Sequence, residues 1–323
     1  MITYNDKILK INSKWLRGID FNPLKLPPLT IRVRYTWNID HSGDHSWTFV
    51  RSYDGNYIWD LHLSRTSYSY PIGALDGVTE IVAANIKDIE YLGGGLVNQN
   101  PYLVKCCSLD LSNAIIMPSL FSYCTYLTEP PEYIKVSSAL NIGGMFAGCY
   151  RLEKGTTKFI DGDKVLVANS LYEGCLDLTE VSDITLPNVT ATANMFSGCP
   201  RLTHIDHLDV KPIYAKKMFF ECSSLEHIPN FDTSETVNMD AMCSYCSGIA
   251  EVPLIDTQSV TSVTESFYMC KSVSGGALDL YNQMSTQTNP PSRHNLTFYD
   301  CGANTTTGAA ELAQIPSDWK TYN

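Results

Sequence analysis

The chain has 323 residues, 44% of them hydrophobic and only 18% charged, with a formal net charge of −11. That balance, with no run of five basic residues, excludes a nucleic-acid backbone or an anionic lipid surface as the main partner. No stretch of about 18 apolar residues is present, so no membrane insertion is expected.

The opening residues, Met1 to Lys7, lack the basic start, apolar run and small-residue cleavage site of a secretory signal. On that reading the chain folds in a reducing cytoplasm, and its eleven cysteines are mostly thiols. Residues 1–19 form an N-terminal arm with Lys10, Lys14 and Arg17 beside Trp15 and Leu16. The arm is either an anchor to another protein or a strand packed on the adjoining domain.

Residues 20–95 read as a small antiparallel β cap. Ile31 to Trp37 alternates apolar and polar residues as a half-buried strand does. Trp47 to Val50 is the returning strand, Asp54-Gly55 is a hairpin turn signal, and Tyr57 to Leu63 is a further strand. Such a cap covers the open edge of a repeat array. The glycine triplet Gly93 to Gly95 is the hinge into that array. No P-loop Lys-Ser/Thr follows it, so it is not a phosphate cradle.

Residues 96–274 keep a period. Cys124, Cys149, Cys175, Cys199, Cys222, Cys246 and Cys270 are 25, 26, 24, 23, 24 and 24 residues apart, the mark of a repeat architecture. Around them the chain repeats Met/Leu-Phe/Tyr-x-x-Cys-x-x-Leu. The best copies are Met145, Phe146, Cys149 and Leu152, then Met195, Phe196, Cys199 and Leu202, then Met218, Phe219, Cys222 and Leu225. Ser266 and Cys243 depart from the pattern.

Positions i, i+4 and i+7 share a helical face, so the spacing predicts a short helical turn that points these side chains into a core. Ile228-Pro229 and Val252-Pro253 suit the ends of short edge strands, and Asp232 and Asp256 suit turns and helix N-caps. The predicted unit is one helical turn, one short strand and two turns. Stacked, such units bury a continuous core, and the cysteines are read as small buried hydrophobes within it. Residues 275–323 close the array as a C-terminal cap, with a polar loop over Asn282 to Asn295 and a short helix over Gly308 to Ile315 ahead of Pro316.

The segment from Phe231 to Met242, leading into Cys246, resembles the repeat of BspA-like leucine-rich proteins, whose usual form is close to FDTSxVTNMxxMFxxC. Leu254 to Cys270 is a second good copy. The resemblance covers roughly residues 96–301. It implies an α/β repeat solenoid with leucine-rich units of about 24 residues, preceded by the β cap. The family includes bacterial surface adhesins, protozoan surface proteins and phage proteins.

The closing segment is similar to that of repeat proteins of gut bacteriophages, including crAss-like phages. It comprises Gly276 to Tyr281, Pro290 to His294, Thr297 to Gly302 and Asn304 to Trp319. Pro27 to Tyr35 and Val50 to His62 resemble the strands that precede such repeats. This likeness, with the signal-free start, implies a structural or attachment protein of a virion, a head or tail fibre folded in the host cytoplasm. Its partners would be other virion proteins or a host-surface glycan or protein, and it would form a homodimer or homotrimer. The alternative is a secreted bacterial adhesin of the BspA type.

No enzymatic pattern emerges. His41 and His45, beside Asp40 and Asp44, lie in a predicted turn and lack a further convergent metal ligand. His204 and His207 alternate with the inward-facing Ile205 and Leu208, which leaves them on a solvated face. No G-x-S-x-G elbow and no recurrent carboxylate pair exist. The sequence therefore assigns no catalytic residue, cofactor or metal. Tyr126, Tyr150 and Tyr214 fall near repeat turns, either as exposed contacts or as packing residues.

Overall fold

The structure, a computed structural model, describes residues 2–4, 7–9, 26–36, 46–53, 55–63, 67–68 and 75–322. The arm residues Lys10, Lys14, Trp15, Leu16 and Arg17 and the His41–His45 turn lie outside them. Near the N-terminus β1 (Ile2–Tyr4) pairs antiparallel with β2 (Lys7–Leu9).

The cap strands are β3 (Thr30–Tyr35), β4 (Trp47–Tyr53), β5 (Asn56–His62) and β7 (Glu80–Asn85). Between the last two, β6 (Ser67–Tyr68) pairs in parallel with β8 (Tyr91–Leu92). With β9 (Lys105–Cys106), four of these make one sheet in the order β4-β5-β3-β7-β9. β3, β4, β5 and β7 pair antiparallel, the first three where the sequence places strands and β7 in addition to them; Ile31, Val33, Tyr35, Trp47, Trp59 and Leu61 are buried. Arg32 lies buried in the sheet, and its Nε and Nη2 donate to the two Asp60 oxygens at 2.7 and 2.8 Å. The last step, β7 to β9, is parallel. The cap sheet thus runs directly into the repeat stack.

Beyond it the chain is a mostly-β solenoid. Each rung contributes very short strands that pair in parallel with the next rung. One column runs through Leu109–Asp110, Tyr133–Lys135 and Lys158–Ile160, another through Lys154–Gly155, Glu180–Val181 and His204–Ile205. A third line of parallel bridges joins Ile116, Asn141, Val167, Ala191, Tyr214, Asn238 and Ser262, each eight residues before its cysteine.

The expected helical turn before each cysteine is absent. Two backbone positions per rung are left-handed. Five residues before the cysteine stand Ser119, Ser170, Asn194, Lys217, Ala241 and Glu265, with φ between 53° and 58°. One residue before it stand Tyr123, Glu221, Tyr245 and Met269, with φ from 57° to 62°. A left-handed residue every fourth position breaks an α-helix. The segment instead folds as consecutive tight turns whose amides point along the stack. Ser170, Tyr172 and Gly174 donate to the carbonyls of Ala193, Met195 and Ser197 in the next rung at 2.9, 2.8 and 2.8 Å. The i, i+4, i+7 pattern is the same for a helix and for this stack of turns, so the pattern placed the side chains inward under the wrong local geometry.

The core fills accordingly. Met145, Phe146, Cys149, Leu152, Met195, Phe196, Cys199, Leu202, Met218, Phe219, Cys222 and Leu225 are all fully buried. The aromatic position forms a stack through Phe121, Phe146, Tyr172, Phe196 and Phe219, with ring centroids 5.3 to 5.9 Å apart and planes within 10° of parallel. The cysteine position forms a second column, in which the thiols from Cys124 to Cys270 donate to the backbone carbonyl three residues before the equivalent position one rung back. Cys149 reaches Phe121 at 3.2 Å, Cys175 reaches Phe146 at 3.1 Å and Cys199 reaches Tyr172 at 3.1 Å. Ser266, standing where other rungs have Met or Leu, is buried with its hydroxyl 2.6 Å from the Met239 carbonyl.

Two rungs lie outside the cysteine period. Cys301 continues the column 31 residues after Cys270, with Phe298 stacked on Phe267 at 6.1 Å. The extra length is α1 (Ala277–Ser285), which takes in residues 282–285 of the expected polar loop. At the cap end Asn100 occupies the cysteine place, and its Nδ2 donates to the carbonyls of Leu75 and Val78. The far end is closed by α1, by α2 (Thr306–Gln314) and by the buried Trp319, which stacks on His294 at 4.3 Å. Thr305 caps α2 by accepting from the Gly308 amide at 3.0 Å.

The Tyr172 hydroxyl is buried in the aromatic stack without a hydrogen-bond partner. An unpaired buried hydroxyl is destabilising, so Tyr172→Phe should raise stability by about 1 kcal/mol. A denaturant midpoint moved upward is the expected result; an unchanged or lowered midpoint contradicts this packing.

Candidate binding face

All eleven cysteines are buried thiols. Burial pushes Cys124 and Cys199 up to about 12 and holds Cys149, Cys175, Cys222, Cys243 and Cys270 well above the ordinary thiol range. A nucleophilic cysteine needs the opposite shift and an accessible sulfur. Among the described residues no group of three His, Cys, Asp or Glu side chains is placed to hold a metal ion. His204 and His207 are exposed while Ile205 and Leu208 are buried; His204 lies 3.9 Å from Glu180 and 3.7 Å from Asp206.

The outer surface is ordered by the same stacking. Any position repeats along the solenoid axis at the rung spacing, about 4.8 Å for paired strands, so each outward position becomes a column. Several columns pair charges between adjacent rungs. Lys105 meets Glu129 at 2.6 Å, Lys154 meets Glu180 at 2.6 Å and Arg201 meets Asp177 at 2.9 Å. Such exposed pairs contribute at most about 1 kcal/mol each. Another column, one residue before the bridge line, is apolar and exposed at Ile115, Leu140 and Leu166. Tyr214 is exposed on the bridge line itself.

The most distinctive feature lies on the turn face. The residue before the cysteine points outward in most rungs, as the exposed Tyr123 and Tyr245 do. In three consecutive rungs it is glycine: Gly148, Gly174 and Gly198, with φ near 70°. Tyr123, Glu221, Tyr245 and Met269 adopt the same left-handed backbone at the equivalent place, so the turn alone does not demand glycine. Three missing side chains in register leave a trough. The Tyr123 ring lies across Gly148, where a Cβ would come within 2.6 Å of it. Gly174 and Gly198 form the open floor.

One wall is the column just after the cysteine: Tyr150, Leu176, Pro200 and Ser223. Glu221 and Tyr245 stand at the far end, and the open trough has a volume of about 560 Å³. Past it the aromatic surface continues through Phe220, Tyr245, Tyr268 and Tyr299, with neighbouring ring centroids 5.0 to 5.8 Å apart.

Of the tyrosines singled out from sequence, all three are exposed, in different settings. Tyr150 lines the trough. Tyr126 is partly covered by the Arg151 guanidinium, 4.2 Å from its ring centroid. Tyr214 stands apart on the bridge line. The trough glycines were not foreseen. Their signal is a Gly-Cys pair in three successive repeats, at 148–149, 174–175 and 198–199.

Comparison with known proteins finds one family. That described as "Mycoplasma protein of unknown function, DUF285" matches residues 97–204 and again 169–280, overlapping spans that cover most of the repeats and more than half of the chain. No curated protein and no solved structure matches.

The buried thiols set an alkaline limit. In the unfolded chain they ionise near the ordinary value of 9.0, whereas Cys124 and Cys199 in the fold keep their protons to about 12. Between these values the unfolded state loses protons that the folded state retains. This contribution is therefore complete below pH 9 and is lost as pH rises through 12. The thermal midpoint should fall progressively above pH 9, and no thiol should react with a soluble disulfide reagent until the chain unfolds. A pH-independent midpoint, or rapid modification of the native protein, contradicts this.

Proposed function

The chain belongs to the DUF285 family, and from that premise and its repeat surface we propose that it is a non-enzymatic binding protein whose turn face holds a partner. The trough over Gly174 and Gly198 carries this reading. It is a rigid, aromatic-rimmed surface made by omitting side chains that the same backbone accommodates elsewhere. Rigid tyrosines give contact area at little cost in conformational entropy and are enriched where proteins bind.

The finer reading is an attachment component of a phage virion, a head or tail fibre folded in the host cytoplasm. It engages neighbouring virion proteins or a host-surface glycan or protein. The similarity of the Gly276–Trp319 segment to gut-phage repeat proteins supports it. So does an interior built on separate, buried thiols, which suits a reducing compartment. Fibre components are commonly oligomeric, and the exposed column of Ile115, Leu140 and Leu166 supplies an apolar ridge for subunit contact in a homodimer or homotrimer.

Quantitative proteomics of purified particles, with light scattering of the isolated protein, tests this. Many copies per particle and a dimeric or trimeric mass are expected. Absence from particles, with the protein recovered on bacterial envelopes, overturns the virion reading in favour of a cell-surface adhesin.

A further inference from the structure

The trough's chemistry narrows its occupant. No Lys or Arg lines it among the described residues, and the one charged lining group, Glu221, makes no ion pair there. An anionic polymer would meet uncompensated negative charge on a chain already at −11. A peptide that docks by adding a strand requires free main-chain donors and acceptors. The trough's amides are already used within the stack: Gly148 donates to Glu173, Gly174 to Ser197 and Gly198 to Phe220, at 2.7 to 2.8 Å. What remains is a floor of bare glycine, an apolar wall, and hydroxyls and a carboxylate at the rim.

Resting on the binding reading above, we propose that the trough binds a linear, uncharged polysaccharide lying parallel to the solenoid axis. The apolar face of a pyranose packs against Tyr150 and Leu176, and its rim hydroxyls donate to the Glu221 carboxylate and the Ser223 hydroxyl. The Tyr123 ring lies against Gly148 and is about half exposed, at 51%, so it adds aromatic surface at the near end. Rungs about 4.8 Å apart are close to the advance of one pyranose along an extended chain, so successive sugars meet successive rungs. The volume lies within the range of about 300–1,000 Å³ typical of ligand sites, enough for a short run of rings.

The test is calorimetry of the full chain with cellohexaose, laminarihexaose and mannohexaose, with polygalacturonate and dextran sulfate as anionic controls. At least one neutral hexasaccharide should bind, and the anionic polymers should not. Tyr150→Ala should weaken binding about tenfold and Glu221→Gln several-fold. Tyr214→Ala, an exposed tyrosine off this face, should leave it unchanged. These positions are on the surface, and retention of the wild-type circular dichroism and thermal midpoint checks each variant's fold.

Failure of all three oligosaccharides, equal binding of the anionic polymers, or equal losses from Tyr150→Ala and Tyr214→Ala overturns the proposal. Labelled protein on host cells separates it from the broader reading. Attachment that needs Tyr150, survives periodate and is lost after protease treatment means a binding face for protein, and the glycan assignment fails alone. Absence of all binding to hexasaccharides and to cells removes both.

Discussion

The structure depends on the backbone hydrogen bonds that join the turns of adjacent rungs. A lone turn of this kind leaves its amides and carbonyls unpaired, which in a buried setting costs about 1–3 kcal/mol per group. Stacked on a copy of itself, it pairs three amides per rung with the carbonyls of the next, as Ser170, Tyr172 and Gly174 do with Ala193, Met195 and Ser197. Repetition is therefore required by the turn's own chemistry. The stack must end in something that satisfies its last rungs: a cap sheet and Asn100 at one end, α1, α2 and Trp319 at the other. The two left-handed positions per rung set where every side chain points. They send the Met, aromatic and Cys positions inward and the residue before the Cys outward.

Cysteine suits its column for the same reason. The site is small, dry and next to a backbone carbonyl. A thiol fits the volume and adds a weak donor, whereas alanine would leave the place partly empty. Because the sulfur is buried, its ionisation is suppressed and its reactivity with it. The regularity that first draws attention to the cysteines is thus a packing regularity. Once the interior is constrained, the outward columns are free to differ from rung to rung. Three glycines in register convert a ridge into a trough without disturbing the core.

The period, the inward residues and the cap strands were legible in the sequence because each rests on a repeated apolar pattern with one dominant physical cause. The local backbone was not. Met145, Phe146 and Cys149 point inward from a helix or from stacked turns alike, and the left-handed positions are mostly held by non-glycine residues such as Asn194, Lys217 and Glu265. These positions are stabilised by contacts between rungs, which a single repeat does not display. The rung at Cys301 escaped the period because α1 is inserted ahead of it, and the rung at Asn100 because a different side chain meets the buried carbonyls of Leu75 and Val78. The trough escaped for a related reason. A glycine before a cysteine reads as turn chemistry, and only alignment of three rungs in space shows that the same gap has been left three times.

The most direct measurement is a crystal structure of the full chain soaked with a linear neutral oligosaccharide. Sugar rings lying along the solenoid axis over Gly174 and Gly198, with one ring against Tyr150 and a hydroxyl on Glu221, are the outcome the proposed site predicts. Rings seated elsewhere, for example on the Leu140–Leu166 ridge, or a trough left empty while the sugar binds another face, would contradict it.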